Sequence, residues 1–258
     1  MRTSKASIEK RREHILKLLE YRENVSVEEL AEQLKTSTIT IRRDLDFFEQ
    51  KKLIDRHRGG ASLNKTNFTT NIFSSSLALN KNAIAKAAAR FVEDGDTIFI
   101  NTSSTALLML EYITAKQVTV VTNNARAIFC ESKENLYVVL TGGELRMPKE
   151  SLVGDFAMNN INRVKAAKSF LGCSGISAKG GFTTAVLQEV AINEMMLRNT
   201  IGMKFVLADT NKVGRTHSFL SGSIQDLDYL ITDDVASETE VKSLRAVGLK
   251  VLQVPVER

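Results

Sequence analysis

The chain has 258 residues, of which 43% are hydrophobic and 25% charged, and it contains only two prolines. This size and composition predict one or two packed domains, and they exclude a miniprotein, a collagen-like chain and wholesale disorder. Lysine and arginine number 35 against 30 acidic residues, and the resulting net charge of +5 does not by itself indicate a polyanionic partner.

The sequence lacks the marks of secretion, membrane insertion and metal binding. A charged N-terminal segment and the absence of any run of eighteen apolar residues lead us to expect a cytoplasmic protein. Cys130 and Cys173 form no C-x-x-C pair, which argues against a zinc site or a disulfide framework. His14, His57 and His217 lie in separate segments, and neither H-E-x-x-H nor a glycine-rich phosphate motif occurs. We therefore expect no metal and no cofactor.

The first sixty residues carry 14 basic and 11 acidic side chains and open with a predicted helix. Ile8, Ile15, Leu18 and Leu19 recur at helical spacing among charged residues, which predicts an amphipathic helix over residues 7–23. Such a helix would cover a small hydrophobic core.

Two further helices follow, joined by a tight connection. Ser26 and Glu29 form a capping-box pattern, which predicts a second helix that ends near Lys35. Ser37 can cap a third helix over residues 38–51. A short helix, a tight turn and another helix form the arrangement that places a recognition helix in the DNA major groove.

The third helix has an apolar face and a polar face. Ile41, Leu45 and Phe48 lie at positions i, i+4 and i+7 and form the predicted inward face. The opposite face carries Ile39, Arg42, Arg43 and Asp46. The two arginines suit contacts with guanine edges or phosphates, and the alternative is a solvated basic face without a partner.

The segment that follows suits the wing of a winged helix. Residues 53–60 predict a short strand, a basic turn and a diglycine reversal. Arg56, His57 and Arg58 in this segment can contact phosphates beside the groove, and such contacts add affinity rather than sequence information. An ordinary hairpin tip is the alternative.

Three separated blocks carry a resemblance to a known family. Residues 25–32, 40–45 and 58–61 read V-S-V-E-E-L-A-E, T-I-R-R-D-L and R-G-G-A, and they resemble the DeoR family of bacterial transcription regulators in order and spacing. The resemblance implies a winged helix-turn-helix domain at residues 1–61, double-stranded operator DNA as the partner, and repression as the expected output.

Specific roles in DNA binding follow from this interpretation. Thr38 and Thr40 are expected to meet phosphates or thymine methyl groups, and Arg42 and Arg43 to divide base and phosphate contacts. Asp44 is expected to orient an arginine rather than to touch DNA.

The remainder of the chain predicts a linker and a second domain. Residues 62–78 are rich in Asn, Thr and Ser, which predicts a connecting segment. From residue 79 to 258, helical stretches alternate with short β-rich runs, which predicts an α/β domain with a mostly parallel sheet. The predicted strands are residues 97–100, 118–121, 137–140, 205–207 and 229–231.

Small polar residues follow several of these strands, where open parallel sheets bind their ligands. Plain turn chemistry explains any one of these loops, and several together favour a polar pocket. Residues 101–105 lie between a strand and a helix, so their amides and hydroxyls suit an anion such as phosphate. Lys212 can add a cation or be an ordinary surface lysine. The candidate effector-binding residues are Asn101, Thr102, Ser103, Ser104, Thr105, Thr122, Asn123, Gly142, Gly143, Gly172, Ser174 and Lys212.

The resemblance to the DeoR family extends through this half, in residues 94–96, 122–123, 142–143, 152–154 and 231–233 and in Asp209 with Lys212. It implies a sensor domain similar in fold to ribose-5-phosphate isomerase, which binds a phosphorylated sugar or a related metabolite that alters operator binding. The loop at residues 101–105 departs from the family pattern of an Asp, a Gly and paired threonines. This departure predicts a changed effector or weak binding.

An enzyme remains the rival interpretation. Residues 179–181 with Glu189 resemble an isomerase active-site stretch, but residues 172–175 stand where that enzyme has paired aspartates. Glu144, Asp155, Glu189 and Asp209 remain possible bases. Cys173 can be a nucleophile, a redox sensor or a small buried residue.

Operator binding usually requires two recognition helices spaced to match two half-sites. We therefore expect a homo-oligomer in which the sensor domains form the contact surface.

Overall fold

The computed structural model describes residues 8, 11–12, 14–16, 18–19, 24–50, 53–57, 59–63, 76–131, 133–147 and 149–256. The chain separates into two compact units, Met1–Ala78 and Leu79–Arg258. Each unit has its own hydrophobic core, and each is therefore described by itself.

The first unit combines helices with a small sheet. Its described residues between positions 8 and 19 are helical, α1 spans Val27–Gln33, and α2 spans Thr38–Gln50. The N–H of Glu29 donates to Ser26 Oγ at 3.1 Å, and the N–H of Ser26 donates to Glu29 Oε2 at 2.9 Å. This reciprocal pair confirms the predicted capping box at the start of α1.

The wing is a three-stranded antiparallel sheet in the order β1-β3-β2, with β1 at Val25–Ser26, β2 at Ile54–His57 and β3 at Gly60–Leu63. A Cβ on Gly60 would lie 2.5 Å from the carbonyl oxygen of Val25, so only glycine fits where these strands meet. The sheet confirms the predicted wing. Residues 62–63, which the sequence places in the linker, belong to β3 because they pair with β2.

The second unit is built on a seven-stranded parallel sheet in the order β15-β14-β12-β9-β4-β5-β6. The strands are β4 (Thr97–Ile100), β5 (Val118–Thr122), β6 (Leu136–Leu140), β9 (Lys168–Gly172), β12 (Lys204–Leu207), β14 (Tyr229–Asp233) and β15 (Lys250–Val254). The five predicted strands are all present, and the sequence missed β9 and β15. The parallel sheet confirms the predicted α/β class.

Helices pack against this sheet and complete its core. They are α3 (Ser76–Ala89), α4 (Ser104–Leu107), α5 (Asp155–Asn162), α6 (Gln188–Arg198) and α7 (Glu238–Ala246), with 3₁₀ helices at Leu108–Glu111, Ala125–Phe129 and Ile224–Asp226. Phe99, Phe170 and Phe205 are fully buried in the middle of the sheet, and the rings of Phe170 and Phe205 stack with centroids 4.8 Å apart.

Two small antiparallel sheets lie beyond the carboxyl ends of the main strands. β7 (Glu144–Arg146) and β8 (Ser151–Val153) form a hairpin, and β10 (Gly175–Ser177), β11 (Gly181–Thr184) and β13 (Phe219–Gly222) form the second sheet. Because all seven main strands are parallel, their carboxyl ends share one side of the domain. That side carries the polar loops singled out in the sequence.

Candidate DNA-binding face and candidate effector site

The exposed face of α2 carries the residues predicted to contact DNA. Ile41 and Leu45 are fully buried, whereas Arg42 and Arg43 are exposed and Ile39 is 63% exposed. The helix therefore separates its hydrophobic contacts from its positive charge, as the spacing predicts. Its exposed face can present two guanidinium groups to a polyanion.

The start of α2 brings the two predicted threonines next to this face. Thr38 and Thr40 are both half-buried, and the hydroxyl of Thr40 lies 2.8 Å from Ser37 Oγ. The N–H of Thr40 also donates to Ser37 Oγ, at 3.2 Å. These bonds fix the helix start from which Thr38 and Thr40 are presented.

Asp44 holds α2 to the N-terminal helical segment. Its buried carboxylate accepts hydrogen bonds from Arg11 Nε at 2.6 Å and from Arg12 Nε at 2.7 Å. The guanidinium of Arg12 also lies 3.6 Å from the ring centroid of Phe47. The arginines that Asp44 orients are therefore those of the N-terminal segment, and its role is to position α2.

The wing residues contact α2 and each other. Arg56 Nη1 donates to Asp46 Oδ1 on α2, and His57 Nε2 lies 2.7 Å from Ser62 Oγ. Arg58 lies outside the described residues. Arg56 thus shares an ion pair that a phosphate contact would have to rearrange.

Asn101 forms the floor of the candidate effector site at the carboxyl end of β4. It is buried, its Nδ2 donates to the carbonyl of Gly172 and to Asn193 Oδ1 at 2.9 Å each, and its Oδ1 accepts the N–H of Gly172 at 2.9 Å. These bonds connect β4, β9 and α6. Asn193 is equally buried and donates to Ser221 Oγ at 3.3 Å.

Glu189 is the central charged group of this site, and only 7% of its side chain is exposed. Its carboxylate accepts hydrogen bonds from Thr102 Oγ1 at 3.1 Å and from Thr184 Oγ1 at 2.7 Å. Lys149 Nζ lies 3.2 and 3.3 Å from its two oxygens. From the sequence, Glu189 was predicted only as a possible isomerase base. Lys149, Thr184 and Asn193 were not predicted to belong to the site.

Ser103 packs closely against the neighbouring strand. A Cβ on Gly172 would lie 2.0 Å from Ser103 Oγ, so glycine is required where β9 passes this loop. Ser103 Oγ caps α4 by accepting the N–H of Ala106 at 3.3 Å, and Ser104 Oγ accepts from Lys81 Nζ at 3.3 Å. The hydroxyl of Thr105 is buried without a hydrogen-bond partner among the described residues.

Four predicted effector residues lie toward the β7–β8 hairpin. Thr122 and Asn123 are buried at the end of β5, and Asn123 Nδ2 donates to the carbonyl of Leu152 at 3.1 Å. Gly142 and Gly143 adopt positive φ angles of 65° and 107° in the loop before β7. Their bonds join β5 to the hairpin rather than to Glu189, so their effector role stays a prediction.

The last two predicted effector residues, Ser174 and Lys212, have contacts with groups other than Glu189. Ser174 Oγ accepts the N–H of Ala185 at 3.1 Å, and Lys212 Nζ lies 3.7 Å from Asp209 Oδ2. Burial raises the pKa of the Cys173 thiol to about 12, against a smaller lowering by Lys212. A protonated thiol is a poor nucleophile, which argues against the nucleophile and redox-sensor interpretations of Cys173.

The other candidate bases, Glu144, Asp155 and Asp209, have no described contact with Glu189. Glu144 and Asp155 are exposed, and Asp209 is buried with its Oδ1 accepting the N–H of Asn211 at 3.0 Å. The described residues contain no group of three or more His, Cys, Asp or Glu side chains placed to share a metal ion. None of the described helices combines the length and apolar character that a membrane crossing requires.

Comparisons with known proteins match both units. The DeoR-like helix-turn-helix domain model matches residues 11–67, and the DeoR C terminal sensor domain model matches residues 78–234. The uncharacterized HTH-type transcriptional regulator YulB of Bacillus subtilis (strain 168) is 30% identical over 255 residues, which are 97% of this chain and 98% of that protein. The lactose phosphotransferase system repressor of Streptococcus mutans serotype c (strain ATCC 700610 / UA159) is 32% identical over 238 residues, 87% of this chain and 92% of that protein.

Among solved structures, ribose 5-phosphate isomerase A from Methanocaldococcus jannaschii aligns with 51% of this chain and 52% of its own, at 16% identity and a TM-score of 0.36. The sequence relatives are transcriptional regulators, which confirms the prediction of a regulator rather than an enzyme. Because family models match both units and a relative is 30% identical over 97% of this chain, the chain belongs to the DeoR family of helix-turn-helix transcriptional regulators.

Proposed function

We propose that this regulator represses a carbohydrate operon by binding its operator through α2 and the wing. The observation that carries the proposal is the exposed pair Arg42 and Arg43 on the face of α2 opposite its buried residues. Thr38 and Thr40 extend this face at the helix start, and Arg56, His57 and Arg58 of the wing supply phosphate contacts. A site of action on chromosomal DNA places the protein in the cytoplasm.

The effector in this proposal is a phosphorylated sugar or a related metabolite. The name of the S. mutans relative, a lactose phosphotransferase system repressor, supports a sugar signal. The candidate site also has complementary chemistry, because a carboxylate at Glu189 accepts from sugar hydroxyls while Lys149 and Lys212 attract a phosphate. Thr102, Ser103 and Ser104 add hydroxyl donors, although Asn101 in place of an acid alters the charge of the loop.

Coupling between the two sites requires a change that both ligands sense. We place this change in a homo-oligomer, because two recognition helices must match two operator half-sites. If the effector prefers one arrangement of the DNA-binding units, operator DNA must shift effector affinity by the same factor. Equal effector affinity with and without operator would contradict this allosteric model.

The experiment that tests the function is fluorescence anisotropy on the intergenic DNA beside the gene, titrated with salt. The full chain is compared with Arg42→Ala plus Arg43→Ala. The matched control is Arg163→Ala plus Arg198→Ala, which removes the same charge from exposed positions of the second unit. We expect tight, sequence-selective binding whose affinity falls steeply with salt, because phosphate contacts release counterions.

Loss of one arginine contact costs about 1 to 3 kcal/mol, so the variant that loses both arginines should lose about 2 to 6 kcal/mol, or roughly 30- to 20,000-fold in affinity. The control should bind within about threefold of the unmodified chain. Equal binding by both variants would overturn the assignment of α2 as the recognition helix. The same assay, run with pentose and hexose phosphates, identifies which effector releases the DNA.

A further inference from the structure

The strongest unassigned feature of the second unit is the edge of its sheet at β6. This strand reads L-Y-V-V-L and contains no charged residue, although it is the last strand of the sheet. Tyr137 is 60% exposed and Val138 41% exposed, and Val139 and Leu140 are also exposed. Because side chains alternate between faces along a strand, both faces of β6 are partly exposed to solvent among the described residues.

Apolar side chains continue on both sides of this strand. Phe129 ends the 3₁₀ helix that contacts β6, and it is exposed. Leu145 on β7, the strand that follows β6 in the chain, and Phe156 on α5 are also exposed. Asn160 of α5 donates to the carbonyl of Thr141 at 2.9 Å, which holds this helix beside the end of β6. We call the surface formed by Phe129, residues 137–140, Leu145 and Phe156 the edge patch.

The backbone of β6 is oriented to add another strand. The N–H of Thr141 donates to the carbonyl of Thr122 at 3.0 Å, and the N–H of Val118 donates to the carbonyl of Asn135 at 3.1 Å. These bonds point the odd-numbered residues of β6 at β5. By alternation, the N–H and C=O groups of Val138 point away from the sheet, toward a strand that the described chain does not supply.

We propose that the edge patch is the interface with a second copy of this chain, formed by antiparallel pairing of β6 with its twofold-related copy. Val138 would then face Val138 of the partner subunit across the axis, with both outward N–H groups donating to outward carbonyls. Leu136 would face the partner's Leu140, and Tyr137 the partner's Val139. This register places apolar side chains opposite apolar side chains throughout, as an isologous interface requires.

The area of the patch suits this occupant. Seven large apolar side chains that expose ~100 Å² on average offer on the order of 700 Å² per copy, close to the roughly 800 Å² that a standard interface takes from each partner. Natural sheets protect an unpaired edge with charge, a bulge or a cover. β6 has no charge of its own, which is expected for an edge that is paired in the assembled protein.

The opposite edge of the same sheet shows such protection. On β15 the outward carbonyl of Val251 accepts a hydrogen bond from Arg245 Nη2 at 3.0 Å, and Arg245 Nη2 also lies 3.3 Å from Gln253 Oε1. Lys250 begins the strand with its ammonium 5.0 Å from the ring centroid of Tyr229. One edge of the sheet is therefore capped by charged side chains, and the other is apolar.

The first test is a cross-link in the full-length protein. A hydrogen-bonded antiparallel pair separates opposite Cα atoms by about 5.5 Å, which is within the range of a disulfide. Val138→Cys should therefore form an interchain disulfide under mild oxidation, seen as a dimer on a non-reducing gel. The unmodified chain controls for Cys130 and Cys173. Leu252→Cys, at a position 37% exposed on β15, is the matched control and should remain monomeric on the gel.

The second test measures association by sedimentation equilibrium of the full chain. Val138→Lys places two ammonium groups opposite each other and should weaken dimerisation by about 100-fold, roughly tenfold for each copy. Leu252→Lys should leave the dissociation constant unchanged within about twofold. Thermal unfolding of both variants confirms that they fold.

The inference rests on the proposed homo-oligomer, and the outcomes separate the two. An oligomer in which Val138→Cys does not cross-link and Val138→Lys still associates overturns the edge patch but keeps the oligomer. A patch covered by the chain's own DNA-binding unit gives that result. A monomer at all protein concentrations tested overturns both, and equal loss of association in Val138→Lys and Leu252→Lys overturns the edge patch.

Discussion

The exposed face of α2 and the candidate effector site use charge in opposite ways. α2 leaves Arg42 and Arg43 in water, on a face built by thirteen consecutive residues. The candidate effector site buries Glu189 and holds it with Lys149, Thr102 and Thr184, which come from separate parts of the second unit. A long polyanion requires exposed cations, whereas a small polar ligand requires fixed polar groups in a concave and largely dry site. Binding groups for a long polyanion can therefore be exposed and close together in the sequence. Binding groups for a small polar ligand are buried and come from separate parts of the chain.

The largest effect we expect separates the two faces of α2. Ile41→Ala removes a fully buried side chain from the core of the first unit and should cost about 2 to 5 kcal/mol of its free energy of unfolding. Ile39→Ala is the same substitution on the exposed face and should cost less than about 0.5 kcal/mol. Hydrogen-exchange mass spectrometry of peptides from α1 and α2, in the full chain, measures this difference.

For operator binding we expect the opposite ranking of the two variants. Among folded molecules, Ile39→Ala should bind the operator more weakly than Ile41→Ala. Ile39→Ala alters the surface that we propose meets DNA, whereas folded Ile41→Ala molecules keep it. Similar losses of protection in the two variants would mean that the exposed face of α2 also stabilises the fold.

The second prediction concerns Glu189. Glu189→Gln removes the carboxylate that Lys149, Thr102 and Thr184 contact, and it should raise the sugar phosphate concentration needed for half-maximal DNA release at least tenfold, or about 1.4 kcal/mol. Operator affinity without effector should change by less than about twofold. Anisotropy with the most effective sugar phosphate from the screen gives both values.

Glu194→Gln provides the matched control, because Glu194 is exposed on the same helix, α6. It should respond to the effector like the unmodified chain. An unchanged effector response in Glu189→Gln would exclude Glu189 from the ligand site. A weaker effector-free operator complex would show instead that Glu189 acts through the fold.

The contrast between α2 and the candidate effector site also explains which features could be predicted from the sequence. The faces of α2 and the cap at Ser26 depend on spacings of three or four residues, so they were visible in the pattern and the structure confirms them. The five predicted strands are runs of β-branched and aromatic residues. DNA-binding residues on a helix can therefore be proposed from sequence alone.

Contacts over long separations could not be predicted in this way. Asn101 donates a hydrogen bond to Asn193, which lies 92 positions later in the sequence, and Lys149 donates to Glu189, which lies 40 positions later. β9 was missed because its first residue, Lys168, looks like a surface lysine, although it is buried and donates to Asp96 at 2.7 Å. The polar loops predicted a pocket at the strand ends, but only the strand order shows which loops meet.

The pH dependence of stability tests how dry the flank of the candidate effector site is. Burial raises the pKa of Cys173 from 9.0 to about 12, so above pH 9 the unfolded chain loses this proton while the folded chain keeps it. The folded state then binds more protons than the unfolded state, and stability falls as pH rises, by up to about 1.4 kcal/mol per pH unit for one thiol. Cys173→Ala should remove this thiol's contribution and make the slope shallower, as measured by urea unfolding of the second unit in the full chain at several pH values between 8 and 11. Burial and Glu111 raise the pKa of Cys130 to about 11, so Cys130→Ala should remove a similar slope over a narrower range.

If Cys173→Ala leaves the pH slope intact and iodoacetamide labels Cys173 rapidly at pH 8, water reaches this flank, and the contrast with the exposed face of α2 does not extend to it.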